Sequence, residues 1–264
     1  RRRAGPTVRA VLFDFDGTLS LIRTGWQDVM VPLMVEVLQR AAPGRPANEL
    51  PELAAMDVDE TTGRATIWQM RRLAERVAEL GGRADDPRAY KAEYERRLMV
   101  HIGQRRAGLA GGGTRPDELL VAGARGLLEA LSAAGVPLAL ASGTDRHRVR
   151  EEAELLGIAR YFGERIYGAT RDERASSKRA VLERLRVAEA TGGAALAVFG
   201  DGFVEIEEAK RVGGYAVGVA SDESAGGGRV DGSKRERLLA AGADAIVVDF
   251  RPRTALLELL GVQT

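Results

Sequence analysis

Short apolar runs rich in β-branched residues alternate along the chain with longer segments in which apolar residues recur every three or four positions. The short runs predict buried strands, and the longer spacing predicts amphipathic helices. Strands are predicted at 8–15, 136–142, 165–169, 195–201, 215–221 and 243–250. The helices between them are predicted at 123–135, 145–157, 177–190 and 205–213. This alternation favours a parallel sheet covered by helices on both faces.

Residues 21–120 interrupt the alternation, because no stretch among them has the pattern of a strand. Their spacing predicts helices at 26–41, 62–80 and 87–102. The glycine-rich stretch 108–116 is typical of a flexible link back to the sheet. We therefore predict an α/β core formed by 1–20 and 121–264, with an all-helical insert at 21–120.

The composition is that of a globular protein and argues against several kinds of partner and site. Hydrophobic residues make up 45% of the 264-residue chain, charged residues 29%, and the formal net charge is +1. This balance gives no reason to expect a nucleic acid polymer or an anionic membrane as partner. The chain has no cysteine, which excludes disulfides and thiolate chemistry. With only His101 and His147 present, a histidine-rich zinc site is excluded as well.

No apolar run approaches the ~20 residues that a membrane helix needs. The opening Arg1–Arg3 is not followed by an uninterrupted apolar segment, because Asp14 and Asp16 come too early for a signal peptide. We therefore expect a soluble cytoplasmic protein, monomeric or weakly dimeric.

Lysine is rare in this chain. Only four of the 39 basic residues are lysines, namely Lys91, Lys178, Lys210 and Lys234. Such a preference is typical of a genome-wide bias towards arginine. Because an ammonium differs from a guanidinium in shape and hydration, a remaining lysine indicates a place that arginine would not fill.

Two carboxylates, Asp14 and Asp16, stand one residue apart at the end of the first predicted strand. Like charges so close repel, so the pair needs a cation or a shared proton, and either indicates chemistry. Other predicted strands end at Ser142, Ala169, Asp201 and Ser221. In open α/β sheets ligands bind beyond the carboxyl ends of the strands, and the helical insert starts from that edge. We expect the site there, with the insert as its lid.

The stretch D-F-D-G-T-L, from Asp14 to Leu19, resembles the first motif of the haloacid-dehalogenase-like superfamily, most of whose members are magnesium-dependent phosphatases. Three later stretches resemble its other motifs in the expected order: "ALASGT" with Ser142, "SSKRAV" with Lys178, and "FGDGFVEI" with Asp201 and Glu205. Four motifs at successive element ends are far more specific than one D-x-D pair. The match covers residues 8–20 and 120–250, about half the chain, and the insert has the position of that family's first-type cap.

The resemblance implies a Rossmann-like core with strand order 3-2-1-4-5. Two positions depart from the family pattern. Arg179 follows Lys178 where the family often has proline, and Glu205 stands where aspartate is more common. Lys210 is therefore a rival for the third-motif role, although we expect it to pair with Glu207 or near Asp201.

The residue types suit phosphate chemistry, because a dianionic ester repels an anionic nucleophile until a cation offsets its charge. Mg²⁺ takes oxygen ligands, a few carboxylates and a substrate phosphate. The expected metal residues are Asp14, Asp16 through its backbone carbonyl, Asp201, and Glu205 through a bound water. Lys178 adds positive charge, and we expect Ser142, Gly143 and Thr144 to grip phosphoryl oxygens.

The two aspartates are expected to divide the chemistry. Asp14, fixed at the strand end, would attack in line and become an aspartyl-phosphate. Asp16 would give a proton to the leaving oxygen and later take one from water. Halide displacement needs no such proton, and the dehalogenase branch lacks the second aspartate, so this chain is not expected to be a dehalogenase. The structural alternative for the aspartate pair is an Asp-Gly turn. The structural alternative for Ser142 is the N-cap of a helix, with Asp145 close by.

Within the insert, "DETTGRATIW" (59–68) resembles the stretch that faces the active site in similar capped enzymes. Arg64 would there contact an anionic or hydroxylated part of the substrate. The alternative is a helix start capped by Thr61 or Thr62, with Arg64 in solvent. Trp68 fits either an insert core or a substrate-facing position.

We therefore predict Mg²⁺-dependent hydrolysis of a small phosphorylated metabolite, a sugar phosphate or a nucleotide, through an aspartyl-phosphate. A phosphomutase of the β-phosphoglucomutase type is the nearest alternative. A phosphonate hydrolase is disfavoured, because the only lysine of the insert, Lys91, lies in a charged helical pattern. A non-catalytic regulatory protein is the alternative from another class.

Overall fold

The computed structural model describes residues 7–46, 48–225 and 228–263. The arginine-rich start and two glycines of the 223–228 tract lie outside these residues. A six-stranded parallel sheet has the order β3-β2-β1-β4-β5-β6, which confirms the predicted α/β fold and the order 3-2-1-4-5, with β6 added at one edge. The strands are β1 (Ala10–Phe13), β2 (Leu138–Asp145), β3 (Ile166–Ala169), β4 (Leu196–Gly200), β5 (Tyr215–Val219) and β6 (Ala245–Val247).

Helices form the rest of the regular structure. Their bounds are α1 (Gln27–Ala41), α2 (Glu49–Thr61), α3 (Thr66–Glu79), α4 (Pro87–His101), α5 (Gly103–Ala110), α6 (Ala124–Ala133), α7 (Arg146–Leu155), α8 (Lys178–Ala188), α9 (Phe203–Arg211), α10 (Gly232–Ala240) and α11 (Arg253–Leu259). The sequence pattern had not predicted α2, α5, α10 or α11.

The central strand β1 is buried along its whole length, because it pairs with β2 on one side and β4 on the other. Phe13 stacks on Phe199 of β4 with ring centroids 4.9 Å apart, and both rings are fully buried. Stacked aromatic pairs of this kind stabilise a core beyond their buried area. Directly after Phe13, the Asp14 backbone N–H donates to the Phe199 carbonyl at 2.8 Å. The core therefore fixes the backbone of Asp14 at the carboxyl edge of the sheet.

The chain divides into two compact units. Gly25–Arg105 forms one, which we call the helical unit, and the chain through Thr24 and from Arg106 forms the other, the core unit. These limits lie inside the expected 21–120. Two backbone hydrogen bonds of 2.9 Å, from Leu21 to Leu119 and from Val121 to Leu19, join both passages of the chain within the core unit.

Helices α1 to α4 give the helical unit a core of its own, with Leu33, Leu50, Met70 and Leu73 almost fully buried. The expected single helix 62–80 is wrong at its start, because α2 ends at Thr61 and α3 begins at Thr66. The Thr61 hydroxyl donates to the Asp57 carbonyl at 2.6 Å, so it closes the end of α2 and does not cap α3.

The expected flexible link at 108–116 is partly helical, since α5 continues to Ala110. Gly108 lies in α5 where a Cβ would come within 2.3 Å of the Thr114 hydroxyl, and the Thr114 N–H donates to its carbonyl at 3.0 Å. The glycine therefore serves a close approach rather than flexibility. In the described part of the chain, no helix combines the length and apolarity that crossing a membrane requires.

Candidate active site

The loop that follows β1 folds back on itself tightly. The N–H groups of Leu19 and Ser20 donate to the Phe15 carbonyl at 2.9 and 2.8 Å. Gly17 has φ of +73°, and a Cβ there would lie 2.2 Å from Asp201 Oδ2. Only glycine fits this backbone conformation and this contact without strain. The turn thus brings the Asp14–Asp16 segment against the end of β4.

Lys178 provides the positive charge beside Asp14. It is the first residue of α8, and the preceding Ser177 is the N-cap, whose hydroxyl accepts a hydrogen bond from the Ala180 N–H at 3.2 Å. The Lys178 ammonium lies 2.9 Å from Asp14 Oδ1 and also forms an ion pair with Glu205 of α9. All three side chains are at least nine-tenths buried. Lys178, rather than Lys210, therefore faces the first carboxylate.

Burial raises the pKa of Asp14 to about 6, Lys178 opposes the rise, and the charges of Asp201 and Asp16 add to it. The ionised carboxylate is thus held in a place that resists its charge. Further positive charge at this edge would stabilise the ionised form, which is the form that acts as a nucleophile.

Asp16 has different partners. The hydroxyls of Ser142 and Thr144, at the end of β2, each donate to Asp16 Oδ2 at 3.1 Å. The Thr144 N–H donates in turn to Ser142 Oγ at 3.0 Å, across the half-buried Gly143. The structure therefore brings the Ser142–Thr144 segment to Asp16, and its contact with phosphate stays a prediction.

A buried ion pair that the sequence did not reveal lies behind Asp16. Arg23 donates from Nε and an Nη to the two carboxylate oxygens of Glu152 at 3.0 and 2.9 Å, and its Nε is 3.6 Å from Asp16 Oδ1. Burial raises the pKa of Asp16, with Arg23 opposing the rise and Glu152 adding to it. Glu152 shares the buried face of α7 with Val149 and Ala153, and a charge in that apolar row was the signal available in the sequence.

Asp201, which follows β4, is held from both sides. Thr18 donates to its Oδ1 at 3.4 Å, and the Lys234 ammonium is 2.8 Å from its Oδ2. Lys234 also pairs with Glu223 at 2.7 Å. Burial alone would lower the pKa of Lys234, but the charges of Asp201 and Glu223 outweigh it and hold that pKa above its usual value. Sequence reasoning did not place Lys234 or Glu223 at this site. The scarcity of lysine was the signal that could have pointed to Lys234.

The remaining candidates lie elsewhere. Lys210 pairs with Asp244 at 2.6 Å on the surface, and not with Glu207 or near Asp201 as expected. Arg64 lies on an exposed turn of the helical unit between α2 and α3, and its role stays a prediction. His101 and His147 are exposed, and Trp68 is 44% exposed.

The sequence pattern of the haloacid dehalogenase-like hydrolases matches residues 8–213, which include all the site residues described above except Glu223 and Lys234. The chain belongs to this hydrolase family. No curated protein sequence matches the chain.

Solved structures share the hydrolase's fold along nearly its whole length. A family member from Deinococcus radiodurans R1 with bound phosphate and sodium is 18% identical, with a TM-score of 0.58 and coverage of 98% of this chain and 99% of that one. A predicted phosphoglycolate phosphatase from Haemophilus somnus 129pt is 18% identical (TM-score 0.61, coverage 95% and 98%). A β-phosphoglucomutase from Clostridium difficile is 12% identical (TM-score 0.63, coverage 96% and 97%). At these identities the likeness shows the fold alone.

The hydrolase's carboxyl edge suits a hard divalent cation. Asp201 lies close enough to Asp14 for its charge to raise the pKa of Asp14. Because Gly17 has no Cβ, the loop that carries Asp16 approaches the Asp201 carboxylate closely. Within residues 7–46, 48–225 and 228–263, no three acidic or histidine side chains form a complete ligand set, so the fit depends on the Asp16 carbonyl and on water. Mg²⁺ accepts such a set, because it keeps several waters. Glu205 pairs with Lys178, so its metal role stays a prediction.

Proposed function

We propose that this hydrolase is a Mg²⁺-dependent phosphatase that acts on a small phosphate monoester through a phosphorylated Asp14. The observation that carries the proposal is the unlike surroundings of two neighbouring carboxylates. Asp14 is fixed at the strand end beside the ammonium of Lys178, whereas Asp16 is held by two hydroxyls and backed by Arg23. Carboxylates in unlike environments can perform unlike tasks in one reaction.

In the first step an Asp14 carboxylate oxygen attacks phosphorus. The new O–P bond forms as the bond from phosphorus to the ester oxygen breaks, and Asp16 gives its proton to that leaving oxygen. The raised pKa of Asp16 suits a group that must start protonated. Lys178, which contacts Asp14, offsets the negative charge that the phosphoryl group brings.

In the second step water attacks the phosphorus of the aspartyl-phosphate. Asp16, now ionised, takes a proton from that water, the O–P bond to Asp14 breaks, and both carboxylates return to their starting states. The hydroxyl of Ser142 lies 3.1 Å from Asp16, close enough to bind a phosphoryl oxygen in both steps. Mg²⁺ bound to Asp14, Asp201 and the Asp16 carbonyl would neutralise part of the phosphate charge.

Steady-state hydrolysis of para-nitrophenyl phosphate tests the proposal. We expect turnover with Mg²⁺, none with EDTA, and a loss of at least about 10⁴-fold in Asp14→Asn, since the nucleophile is removed. Asp117→Asn is the matched control, because Asp117 is an exposed partner of Arg125. Protein quenched in acid during turnover should carry a phosphoryl group on Asp14. Turnover without that adduct, or turnover retained in Asp14→Asn, would disprove the proposal.

Substrate class is tested by phosphate release from about 100 phosphorylated metabolites, since specificity is a difference between transition-state affinities. We expect sugar phosphates or mononucleotides among the best substrates. The shared fold with β-phosphoglucomutases makes one further assay informative. Interconversion of sugar phosphates that needs a bisphosphate activator and releases little phosphate would assign a mutase instead.

A further inference from the structure

We propose that Lys234 and Glu223, which we call the Lys234–Glu223 pair, set how tightly the Asp201 carboxylate binds a divalent cation. The proposal rests on the proposed function, because it takes Asp201 as a metal ligand. The pair comes from the segment after β5 and from α10, beyond residues 8–213 that the family pattern matches. The two residues act through Asp201 and do not need to touch substrate.

The geometry joins the pair to the site at two points. The Lys234 ammonium contacts Asp201 Oδ2 at 2.8 Å and Glu223 Oε1 at 2.7 Å, and it donates to the Ser221 carbonyl at 3.4 Å. Glu223 also accepts a hydrogen bond from Thr24 at 3.3 Å. Glu223 Oε1 lies 2.9 Å from where a Gly17 Cβ would be, so both members of the pair border the loop that carries the two aspartates.

Burial makes these charges strong. The Lys234 side chain is 9% exposed and that of Glu223 is 17% exposed, so water screens them little. Removing a charged side chain from water is unfavourable unless it is paired, and each member of the pair provides the opposite charge that offsets this cost for the other. Lys210 gives the contrast, because its side chain is 40% exposed where it pairs with Asp244.

Opposite effects on the cation follow for the two residues. The ammonium shares the Asp201 carboxylate with any bound cation and repels it, so Lys234 weakens cation binding. Glu223 draws the ammonium towards itself and offsets its charge, so Glu223 strengthens cation binding. The pair therefore holds the Asp201 carboxylate in place by direct contact while the cation remains exchangeable.

The affinity for a divalent cation can be measured without turnover. The metal-free protein is titrated with Mn²⁺, and free Mn²⁺ is detected by its electron paramagnetic resonance. We expect Lys234→Met to bind Mn²⁺ about ten-fold more tightly and Glu223→Gln to bind it about ten-fold more weakly. Lys210→Met is the matched control and should leave the affinity unchanged.

Opposite shifts in the two variants are the diagnostic result, because a purely structural defect would weaken binding in both. An affinity in Lys234→Met that is unchanged or weaker would overturn the inference, and so would unchanged binding in Glu223→Gln, which tests it even if Lys234→Met does not fold. Asp201→Asn separates the two proposals. If Asp201→Asn binds Mn²⁺ as tightly as the wild-type protein does, the proposed metal site fails and the inference fails with it.

Discussion

Asp14 and Asp16 are the same side chain two positions apart, and their neighbours make them chemically different. Asp14 shares Lys178 with Glu205, and burial raises its pKa to about 6. Asp16 accepts hydrogen bonds from the hydroxyls of Ser142 and Thr144, which lower its pKa, but burial outweighs them and raises that pKa. A nucleophile must be ionised and a general acid must be protonated, so unlike neighbours are what the proposed reaction requires.

Asp14→Asn should stabilise the metal-free protein at neutral and higher pH. The pKa of Asp14 is raised from 3.8 to about 6, so the folded state binds this proton more tightly than the unfolded chain. Its contribution to stability is full below about pH 4 and is lost as the pH rises through about 6. Since asparagine cannot ionise, we expect about 1 to 3 kcal/mol more stability at about pH 8, and no gain near pH 4. Urea unfolding in EDTA at both pH values is the measurement. A variant less stable than wild type at the higher pH would contradict this.

Glu152→Ala should be among the most destabilising changes in the core unit. It leaves Arg23 buried beside Asp16 without its bidentate partner. Breaking a buried pair by removing one member costs about 3 to 5 kcal/mol. Glu118→Ala is the control, because it breaks an exposed pair with Arg115 and should cost under about 1 kcal/mol. Equal losses in the free energy of unfolding would show that Glu152 does not hold a desolvated charge.

At the scale of elements, the site depends on how close the strand ends and loops come to one another. Strands β1 and β4 pair in register, which places Asp14 and Asp201 just beyond neighbouring ends. The tight turn after β1 then closes the distance through Gly17. Helix α8 adds Lys178 at its first turn, where the N-cap Ser177 accepts from the Ala180 N–H and fixes the start of the helix.

Gly17→Ala should abolish most of the activity, whereas Gly135→Ala should not. Both glycines have positive φ, +73° and +71°, so both alanine variants carry similar backbone strain of about 1 kcal/mol. Only at Gly17 would the new Cβ collide with Asp201 Oδ2, while nothing lies within 4 Å at Gly135. A displacement near 1 Å in a catalytic group lowers the rate by about 100-fold. Comparison of kcat/KM decides, and equal activity in the two variants would show that the contact does not matter.

At the scale of the whole molecule, the proposed catalytic and metal residues all belong to the core unit, and Arg64 alone among the predicted site residues lies in the helical unit. The helical unit has its own buried core around Leu33, Met70 and Leu73. Cation binding should therefore be a property of the core unit by itself, and the contact of Arg64 with substrate stays a prediction.

Leu73→Ala tests this separation. The side chain is 1% exposed in α3, and its truncation should cost the helical unit about 2 to 5 kcal/mol in unfolding free energy. Mn²⁺ affinity below the unfolding transition should stay at the wild-type value. Leu140→Ala, fully buried in β2 close to Ser142, is the comparison and should lower both stability and affinity. A loss of Mn²⁺ affinity in folded Leu73→Ala would show that the units share the cation site.

Part of the fold could be predicted because its signals are local. The run before Asp14 and most of the later strands stop at a polar residue, and the helical spacing between them is regular. The boundary between α2 and α3 could not be predicted. Thr61 is a residue type that often caps the start of a helix, yet its hydroxyl donates to the carbonyl of Asp57, four residues earlier in α2. Its hydroxyl can satisfy either helix end, and only packing chooses between them.

The sequence by itself determined the parallel α/β sheet and the convergence of Asp14, Asp16, Ser142 and Asp201 at one edge, since residues at the ends of parallel strands must meet there. Its resemblance to the family motifs implied the strand order around β1 and the place of Lys178. Tertiary structure alone decided the partners of those residues. Glu152 is 129 residues from Arg23 along the chain, and Lys234 reaches Asp201 from a different helix. Contacts of this kind leave no periodic trace in the sequence, because burial and charge pairing are set by three-dimensional packing and not by spacing along the chain.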